Sequence, residues 1–381
     1  MSHKQILQRN ISFIKPDGQL AEQLKSGKQL RVKFGIDPTG TRMHLGRAAT
    51  LLKLRQFQDA GHQIVLIIGD FTALVGDASD KTKERPMLSK QEVDRNLENY
   101  LAHLGRVLDI SKCELRYNSE WLPKLDFNNI AELANQFSVA ELLDRENFSN
   151  RFKNGVRISL REFLYPLMQG YDSVVVRSDV ELGGNDQLFN ILAGRTLQKY
   201  FGQEPQSVIG TKLINAANGE KMSTSQGNCI WVDDHPTDMF GALMAMRDEE
   251  MMIYFEALTD IDLSSAGDIV SSDPRAAKLL LARTITGTFH SQKLAADAEK
   301  SWISQFSIGE KPDNIEAFSI KKGTRLCDFL LQNKLVASKS EVNRLIVQGG
   351  IRIDGKKVEN DISLYSGAEI QIGKRIWVRI R

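Results

Sequence analysis

The order of apolar and polar positions predicts alternating strands and helices in the first half of the chain. Apolar runs at Leu30–Ile36 and Gln63–Gly69 are typical of buried parallel strands, and Gly46–Ala60 between them has helical spacing. Such a βαβ unit predicts a ligand at the carboxyl ends of the strands. Further strands are predicted at Glu114–Tyr117, Ser173–Arg177 and Gln206–Gly210, and helices at Lys90–Leu108, 128–158, Glu162–Tyr171 and from Gly183 to Tyr200.

In the second half of the chain the predicted secondary structure changes twice, first to helices alone and then to a mixture of helices and strands. From Pro236 to about Gln305 the pattern is helical, with methionines at spacings that favour core packing. After a polar linker at 309–314, helices are predicted at 324–330 and 338–348, followed by a hairpin at 351–358 with an Asp-Gly turn. We therefore predict an α/β chain: a Rossmann-like, doubly wound parallel sheet over 1–230, a small all-α domain over 231–310, and an α+β domain over 320–381.

Composition narrows the class of protein. The 381 residues include three scattered Cys and six scattered His, which suggest neither disulfides nor a metal site. No apolar run approaches the length needed to span a bilayer, and the first ten residues lack a secretion signal, so a soluble cytoplasmic protein is expected. The net charge of +2 is uneven: residues 323–381 carry +5 and the remainder −3. A basic C-terminal module favours an RNA-binding appendage.

Two short motifs carry the chemistry. His44-Leu45-Gly46 follows a strand and an Asp37-Pro38-Thr39-Gly40 turn and opens a helix, where backbone N–H groups attract phosphate. Taken alone, a His-x-Gly at a helix start is more often a capping turn. Downstream, Lys221-Met222-Ser223-Thr224-Ser225 offers a cation and hydroxyls on a Gly-bounded loop suited to closing over a triphosphate. Together the motifs resemble the HIGH and KMSKS signatures of class I aminoacyl-tRNA synthetases.

A polar helix face narrows the substrate. Tyr165, Gln169 and Asp172 follow one another at i, i+4 and i+7, so all three share one face, which is costly to bury unless it meets a polar ligand. Together with Gln187, this pattern resembles tyrosyl-tRNA synthetases. The resemblance implies that Tyr165 and Gln169 hold the amino group of tyrosine and that Asp172 accepts from its phenol.

The same resemblance implies a full set of site residues. Activation transfers ATP's adenylyl group to the tyrosine carboxylate by positioning and charge stabilisation, without a covalent protein nucleophile. Catalytic roles fall to His44, Thr39, Lys221, Lys81 and Arg85, the last two gripping pyrophosphate. ATP contacts are implied for Asp37, Thr39, His44, Gly46, Arg47, Gly184, Asp186, Lys221, Ser223 and Thr224, and tyrosine contacts for Lys33, Gly35, Asp77, Tyr165, Gln169, Asp172 and Gln187.

The C-terminal module resembles the small RNA-binding domain first described in the fourth protein of the small ribosomal subunit. Lys339, Arg344, Arg352 and Lys356 would then touch phosphates, the alternative being a solvated charged face. The implied partners are tRNA(Tyr), L-tyrosine and ATP, with Mg²⁺ bound alongside ATP rather than at a dedicated protein site. The family also implies a homodimer, for which Phe127–Leu143 is the expected contact.

Three positions depart from the family pattern. Arg47 replaces the second His of HIGH, Thr224 replaces the second Lys of KMSKS, and Lys33 stands where many relatives have a tyrosine at the substrate phenol. Two alternatives to a tyrosine–tRNA ligase therefore stay open: a paralogue that activates a tyrosine analogue, and a non-catalytic RNA-binding regulator that retains the fold. The joint survival of His44 and the polar helix face speaks against decay.

Overall fold

The chain divides by its contacts into two compact units, Met1–Gln292 and Lys293–Arg381. The computed structural model describes residues 3–38, 40–77, 88–220, 222, 227–304, 315–321, 323–336, 338–373 and 376–381. The helical segment up to residue 292 thus belongs to the same unit as the first sheet. The division into domains at 1–230, 231–310 and 320–381 stays a prediction.

The first unit is built on a six-stranded sheet. Its strand order is β1-β6-β5-β2-β3-β4, and all neighbours are parallel except β1, which runs antiparallel to β6 at one edge. The doubly wound parallel sheet is therefore confirmed, and β1 is an edge strand that the sequence pattern did not reveal. The strands are β1 (Phe13–Lys15), β2 (Arg31–Ile36), β3 (Gln63–Ile68), β4 (Glu114–Tyr117), β5 (Val180–Gly184) and β6 (Ser207–Thr211).

Helices cover the sheet and continue beyond it. Those up to the end of β6 are α1 (His3–Gln8), α2 (Gln19–Lys25), α3 (Leu45–Asp59), α4 (Thr72–Val75), α5 (Lys90–Leu104), α6 (Phe127–Ala134), α7 (Val139–Asp144), α8 (Glu146–Lys153), α9 (Leu160–Val176) and α10 (Leu188–Tyr200). The all-helical prediction after Pro236 is confirmed by α11 (Pro236–Met244), α12 (Met251–Leu258), α13 (Leu263–Ser272), α14 (Pro274–Phe289) and α15 (Gln292–Ile303). None of the helices in the described part of the chain is both long and apolar enough to cross a membrane.

The strand predicted at Ser173–Arg177 is wrong, because this segment forms the last turns of α9. Its run of valines has high β-propensity, yet Val174 and Val176 are buried in the core as helical residues. The helix ends only at Val176, and the following residue, Arg177, adopts a left-handed conformation with φ of 49°. The strand itself is β5, and Gly183 and Gly184 close that strand rather than open the next helix.

The chain reverses its direction of winding between β2 and β5. Strands β2 and β3 pair along six residues, whereas β2 and β5 pair only at Val32 with Val180 and at Lys33 with Glu181. Beyond that second pair the two strands lead to separate walls of a crevice at their carboxyl ends. In open α/β sheets such a switch point is where ligands bind.

The second unit has its own sheet and core. Five strands are ordered β7-β11-β10-β8-β9, with β7 (Glu316–Phe318), β8 (Ile351–Ile353), β9 (Lys356–Lys357), β10 (Glu369–Ile372) and β11 (Ile376–Ile380). Helices α16 (Leu326–Gln332) and α17 (Lys339–Val347) complete the fold, and the Ser338 side chain caps α17 by accepting from the Glu341 backbone N–H. Leu326, Phe329, Val342 and Ile370 are among the residues of the shared core. The predicted α+β module is therefore confirmed.

Candidate active site

A cavity of about 610 Å³ opens at the switch point between β2 and β5. It brings together the turn after β2, the start of α3, the polar face of α9 and the loop after β5. Most of the predicted site residues that the structure describes line this one cavity. They are Gly35, Asp37, His44, Gly46, Arg47, Asp77, Tyr165, Gln169, Asp172, Gly184, Asp186 and Gln187.

One end of the cavity holds a buried carboxylate. Asp172 is 3% exposed and accepts hydrogen bonds from Trp121 Nε1 at 2.8 Å and from Asn118 Nδ2 at 3.4 Å. Burial raises the pKa of Asp172 to about 7, against the opposing effects of the Lys33 charge and of these two donors. The carboxyl group is therefore held in place, where it can accept a hydrogen bond from the hydroxyl of a ligand. A ligand that lacks this hydroxyl would leave the buried carboxyl without that donor, at a cost in binding free energy.

A second polar group on the same helix, Tyr165, also lines the cavity. The Tyr165 hydroxyl donates to Asp37 Oδ2 at 2.9 Å, and Thr72 donates to Asp37 Oδ1 at 2.8 Å. Burial, followed by the charge of Asp37, raises the pKa of Tyr165 well above its ordinary value. Because its proton is committed to Asp37, the phenol oxygen of Tyr165 can serve as an acceptor for a cationic group.

Two further acceptors line the cavity, Asp77 from the segment after α4 and Gln187 from the loop after β5. Gln187 Nε2 donates to Asp77 Oδ2 at 2.8 Å, and Asn190 Nδ2 donates to Gln187 Oε1 at 3.1 Å. The arrangement collects a carboxylate, a phenol and amide oxygens around one part of the cavity. Such a set of acceptors suits an ammonium group.

Lys33 does not fit the expected contact with the substrate phenol. It is fully buried, is not part of the cavity wall, and donates to the Gln169 carbonyl, Ser173 Oγ and Glu181 Oε1. The reason is the sheet register: Lys33 lies directly opposite Glu181 on the neighbouring strand, which the sequence alone could not reveal. The expectation is corrected: Lys33 lies beneath the cavity, where it donates to the Gln169 backbone carbonyl and its charge opposes the raised pKa of Asp172.

The start of α3 forms another part of the cavity wall, with His44, Gly46 and Arg47. A side chain at Gly46 would place its Cβ 2.9 Å from His44 Nδ1 and 3.4 Å from Met222 Sδ, so only glycine allows these groups to close around the turn. Burial, assisted by the charge of Arg47, lowers the pKa of His44 to about 4. The imidazole is therefore neutral near pH 7 and acts as a hydrogen-bond donor rather than as a cation.

Arg47 supplies the positive charge at this end. Its Nη1 donates to the Tyr100 hydroxyl on α5 at 3.0 Å, and both residues line the cavity. Across the cavity, a Cβ at Gly184 would approach Asp186 Oδ1 to 2.5 Å, which keeps this loop close to its own carboxylate. The cavity is thus lined by the cation of Arg47, which suits a nucleotide phosphate, and by the carboxylate of Asp186, which suits a ribose hydroxyl.

Several predicted residues lie outside the described part of the chain: Thr39, Lys81, Arg85, Lys221, Ser223 and Thr224. Their roles stay predictions. Of the downstream motif only Met222 is described, and it lines the cavity beside Gly46. The next described segment is fixed to the first motif, because Arg42 forms ion pairs with Asp233 and Asp234 and stacks over Trp231.

Sequence reasoning missed the residues that hold the carboxylate end. Thr72, Asn118 and Trp121 form the hydrogen-bonded chain around Asp172 and Asp37, but they come from segments with no motif. Their only signal is position: Asn118 and Thr72 follow closely after β4 and β3, at the carboxyl edge of the sheet. Among the residues that the structure describes, no group of three or more His, Cys, Asp or Glu is arranged to hold a metal ion.

The second unit presents the predicted phosphate contacts on its surface. Lys339 and Arg344 are exposed on α17, and Arg352 and Lys356 are exposed on the hairpin of β8 and β9. Arg344 forms an ion pair of 3.8 Å with Glu341. Exposed cations on two adjoining elements are typical of nucleic-acid contact.

Similarity to known proteins agrees with this geometry. Residues 25–307 match the family described as tRNA synthetases class I (W and Y), and residues 324–361 match the S4 domain. The chain is 42% identical to the tyrosine–tRNA ligase of Thermotoga maritima, covering 98% of this chain and 96% of that protein. It is 41% identical to tyrosine–tRNA ligase 2 of Vibrio cholerae over 98% of this chain and 97% of that protein.

Solved structures show the same fold at lower identity. The mitochondrial tyrosyl-tRNA synthetase of Aspergillus nidulans, in a C-terminally truncated form, superposes with a TM-score of 0.65 at 21% identity, covering 78% of this chain and 92% of that chain. The tyrosyl-tRNA synthetase of Archaeoglobus fulgidus, solved with L-tyrosine, gives a TM-score of 0.62 at 18% identity over 77% of this chain and 98% of that chain.

Proposed function

Because this chain belongs to the tyrosyl-tRNA synthetase family with an S4 domain, we propose that it activates L-tyrosine with ATP and then charges tRNA(Tyr). The first step joins the tyrosine carboxylate to the α-phosphate of ATP and releases pyrophosphate. The second transfers the tyrosyl group to the terminal ribose of the tRNA.

The observation that carries this proposal is the polarity of the single cavity at the switch point. One end holds Asp172 with its bonded donors, and the other holds the His44 turn with Arg47. A ligand with a hydroxyl at one end, an ammonium in the middle and a carboxylate directed to a nucleotide matches that order. L-tyrosine has these three groups in this sequence.

The residues then act by positioning. Asp172 accepts from the substrate phenol, while Tyr165, Gln169 and Asp77 accept from its ammonium group, so the carboxylate points toward the α-phosphate. Reacting groups held in this way gain most of their rate from orientation, and neutral His44 with cationic Arg47 stabilises charge that develops on the phosphates. Gly184 and Asp186 hold the ribose, and Lys221, Lys81 and Arg85 act on the departing pyrophosphate.

The test is tyrosine-dependent exchange of labelled pyrophosphate into ATP, followed by formation of tyrosyl-tRNA. Both reactions are expected, with tyrosine preferred over phenylalanine and over ring-substituted tyrosines. Exchange that prefers another phenolic amino acid would indicate a paralogue for an analogue. Tight tRNA binding without exchange would instead indicate a non-catalytic regulator.

Some parts of the assembly belong to the proposal as well. We expect Mg²⁺ to enter as the counterion of the ATP phosphates, which supply most of its ligands. The basic surface of the second unit, with Lys339, Arg344, Arg352 and Lys356, contacts the phosphates of the tRNA. The protein works in the cytoplasm, consistent with its family and with the pool of tRNA that it serves.

We also propose that the protein is a homodimer. Large apolar side chains are exposed between residues 127 and 160, where Phe127 is 86% exposed and Leu160 75% exposed. Such surface hydrophobics favour a subunit contact. Sedimentation at micromolar concentration is expected to give a dimer, and Phe127→Ser with Leu160→Ser should dissociate it; a wild-type monomer would contradict the assignment.

A further inference from the structure

A buried ion pair lies directly beneath the cavity. Lys33 and Glu181 are 0% and 1% exposed, face one another on β2 and β5, and form the last pair of residues before the two strands separate. Their charged groups are 3.0 Å apart. The strand residues that follow each of them, Phe34 and Leu182, line the cavity, so the ion pair lies directly next to the cavity wall without being part of it.

The pair is saturated with hydrogen bonds. Lys33 uses its three protons on the Gln169 carbonyl, Ser173 Oγ and Glu181. Glu181 accepts from four donors: Lys33, the Gln169 side chain, Ser173 Oγ and Gln206 Nε2. A buried ion pair is tolerated only with such complete bonding.

The neighbouring helix makes room for this cluster. A Cβ at Gly194 of α10 would lie 2.5 Å from Gln206 Nε2 and 2.7 Å from Ser173 Oγ. Any larger residue there would displace two of the donors that reach Glu181. The cluster therefore depends on sequence positions in two strands, two helices and the segment before β6.

The contact between Gln169 and Glu181 has a consequence for the ligand. Gln169 Nε2 donates to Glu181 Oε1 at 3.0 Å, and a carboxylate can only accept, so the amide cannot rotate to exchange its oxygen and nitrogen. Since Gln169 lines the cavity and its nitrogen is used by Glu181, the amide oxygen is the end of the amide that remains to accept from a ligand. A reversed amide would present N–H groups to the substrate ammonium and repel it.

We propose that Glu181 and Lys33 are positioning residues for amino-acid binding: Glu181 fixes the Gln169 amide as an acceptor for the substrate ammonium group, and Lys33 balances the buried charge. The assignment rests on the function proposed above, and it gives Lys33 a role that contact with the phenol does not provide. A purely structural ion pair would affect folding but would not distinguish ligands with and without an ammonium group.

The experiment compares two ligands. Dissociation constants are measured by calorimetry for L-tyrosine and for 3-(4-hydroxyphenyl)propionate, which lacks only the ammonium group. In the charge-neutral double variant Lys33→Met/Glu181→Gln, tyrosine affinity is expected to fall roughly tenfold or more, the effect of one hydrogen bond to a charged group. Affinity for the propionate should stay within about twofold, because the Gln169 contact is not used by that ligand.

A second buried ion pair serves as the matched control. Arg151 and Glu162 are 2% and 1% exposed and 2.5 Å apart, and neither lines the cavity. Arg151→Met/Glu162→Gln should leave the ratio of the two affinities unchanged. Adding Gln169→Leu offers a further check: in that background Lys33→Met/Glu181→Gln should have no additional effect on tyrosine binding.

Several results would overturn the assignment. If affinity falls equally for both ligands, or does not fall for tyrosine, the ion pair has a structural role only. Where the double variant does not fold cooperatively, Glu181→Asp keeps the charge but withdraws it from Gln169, and the same ratio decides. If the wild type binds tyrosine but the variants do not change the ratio of affinities as expected, only the positioning role is contradicted. If the wild type does not bind tyrosine, the proposed function is contradicted too.

Discussion

The tyrosine end of the cavity and the basic surface of the second unit bind in opposite ways. At the cavity, Asp172, Gln169 and Tyr165 have their polar groups already bonded to other parts of the protein. On the second unit, Arg352 and Lys356 extend into solvent from a two-stranded hairpin. Under the proposed function, the first region recognises a small ligand through groups removed from water, and the second recognises a polyanion through groups that remain in water.

This difference determines how each region discriminates. A desolvated group that loses its partner has no water to replace it, so a wrong ligand is penalised strongly. Exposed cations lose little when one contact is removed, because each phosphate contact adds modestly and is screened by salt. If the proposed function holds, specificity for the amino acid is concentrated in a few buried atoms, whereas affinity for RNA is distributed over many exposed contacts.

The largest effect is expected from the buried carboxylate. Asp172→Asn preserves the shape but replaces the acceptor of the phenol hydrogen bond with a group that can also donate. We expect kcat/KM for tyrosine in pyrophosphate exchange to fall about 10²–10³-fold, comparable to the removal of one preorganised polar contact. The ratio of tyrosine to phenylalanine should fall at least tenfold, since the penalty on phenylalanine disappears.

The exposed Asp268 on α13 provides the control for this variant. Asp268→Asn should leave both rates unchanged. An unaltered tyrosine-to-phenylalanine ratio in Asp172→Asn would mean that another group reads the phenol. Asn118 and Trp121, which hold the carboxylate, would then be the first candidates.

A smaller effect is expected at the RNA surface. Replacing Arg344, Arg352 and Lys356 together by Gln should lower kcat/KM for tRNA charging roughly tenfold to a hundredfold. The slope of log K for tRNA binding against log salt concentration should become shallower by the equivalent of about two to three phosphate contacts. Pyrophosphate exchange should not change. Lys25→Gln, an exposed charge at the end of α2, is the control; equal salt dependence in the triple variant and the wild type would exclude this surface.

Sequence patterns were sufficient where one element carried the whole signal. The face of α9 with Tyr165, Gln169 and Asp172 lines the cavity as expected, because helical spacing alone brings the three residues together. The turn at His44 and Gly46 is likewise local to one strand and one helix. The basic hairpin followed from its charges and its Asp-Gly turn.

Patterns failed where the outcome depended on which elements become neighbours. The valines after Ser173 resemble a strand, and only their packing in the core keeps them helical. Lys33 was expected at the phenol because many relatives have a tyrosine at this position that contacts the phenol. Its actual partner, Glu181, lies 148 residues away and is opposite only because β2 and β5 are adjacent. Asn118 and Trp121 were missed for the same reason.

The smallest expected effect is a dependence of amino-acid preference on pH. It concerns the cavity alone, because it arises from the titration of Asp172. Burial raises the pKa of Asp172 to about 7, with Lys33 opposing the shift and Glu181 adding to it. In the free enzyme the carboxyl is therefore largely protonated at pH 6 and ionised at pH 8. Only the ionised form accepts strongly from the phenol of tyrosine. Only this form makes the binding of phenylalanine costly, because phenylalanine leaves the buried charge without a donor.

The preference for tyrosine should consequently rise with pH through about 7, by several-fold to about tenfold between pH 6 and pH 8. Tyrosine binding should also release a proton near neutral pH, because the bound phenol favours the ionised carboxylate. Neutral His44, with a pKa lowered to about 4, adds no step in this range. The measurement is the ratio of exchange efficiencies for tyrosine and phenylalanine at each pH, with Asp172→Asn as the control that should show no trend. A trend that persists in this variant would assign the titration to another group, and a flat wild-type profile would mean that Asp172 stays ionised despite its burial.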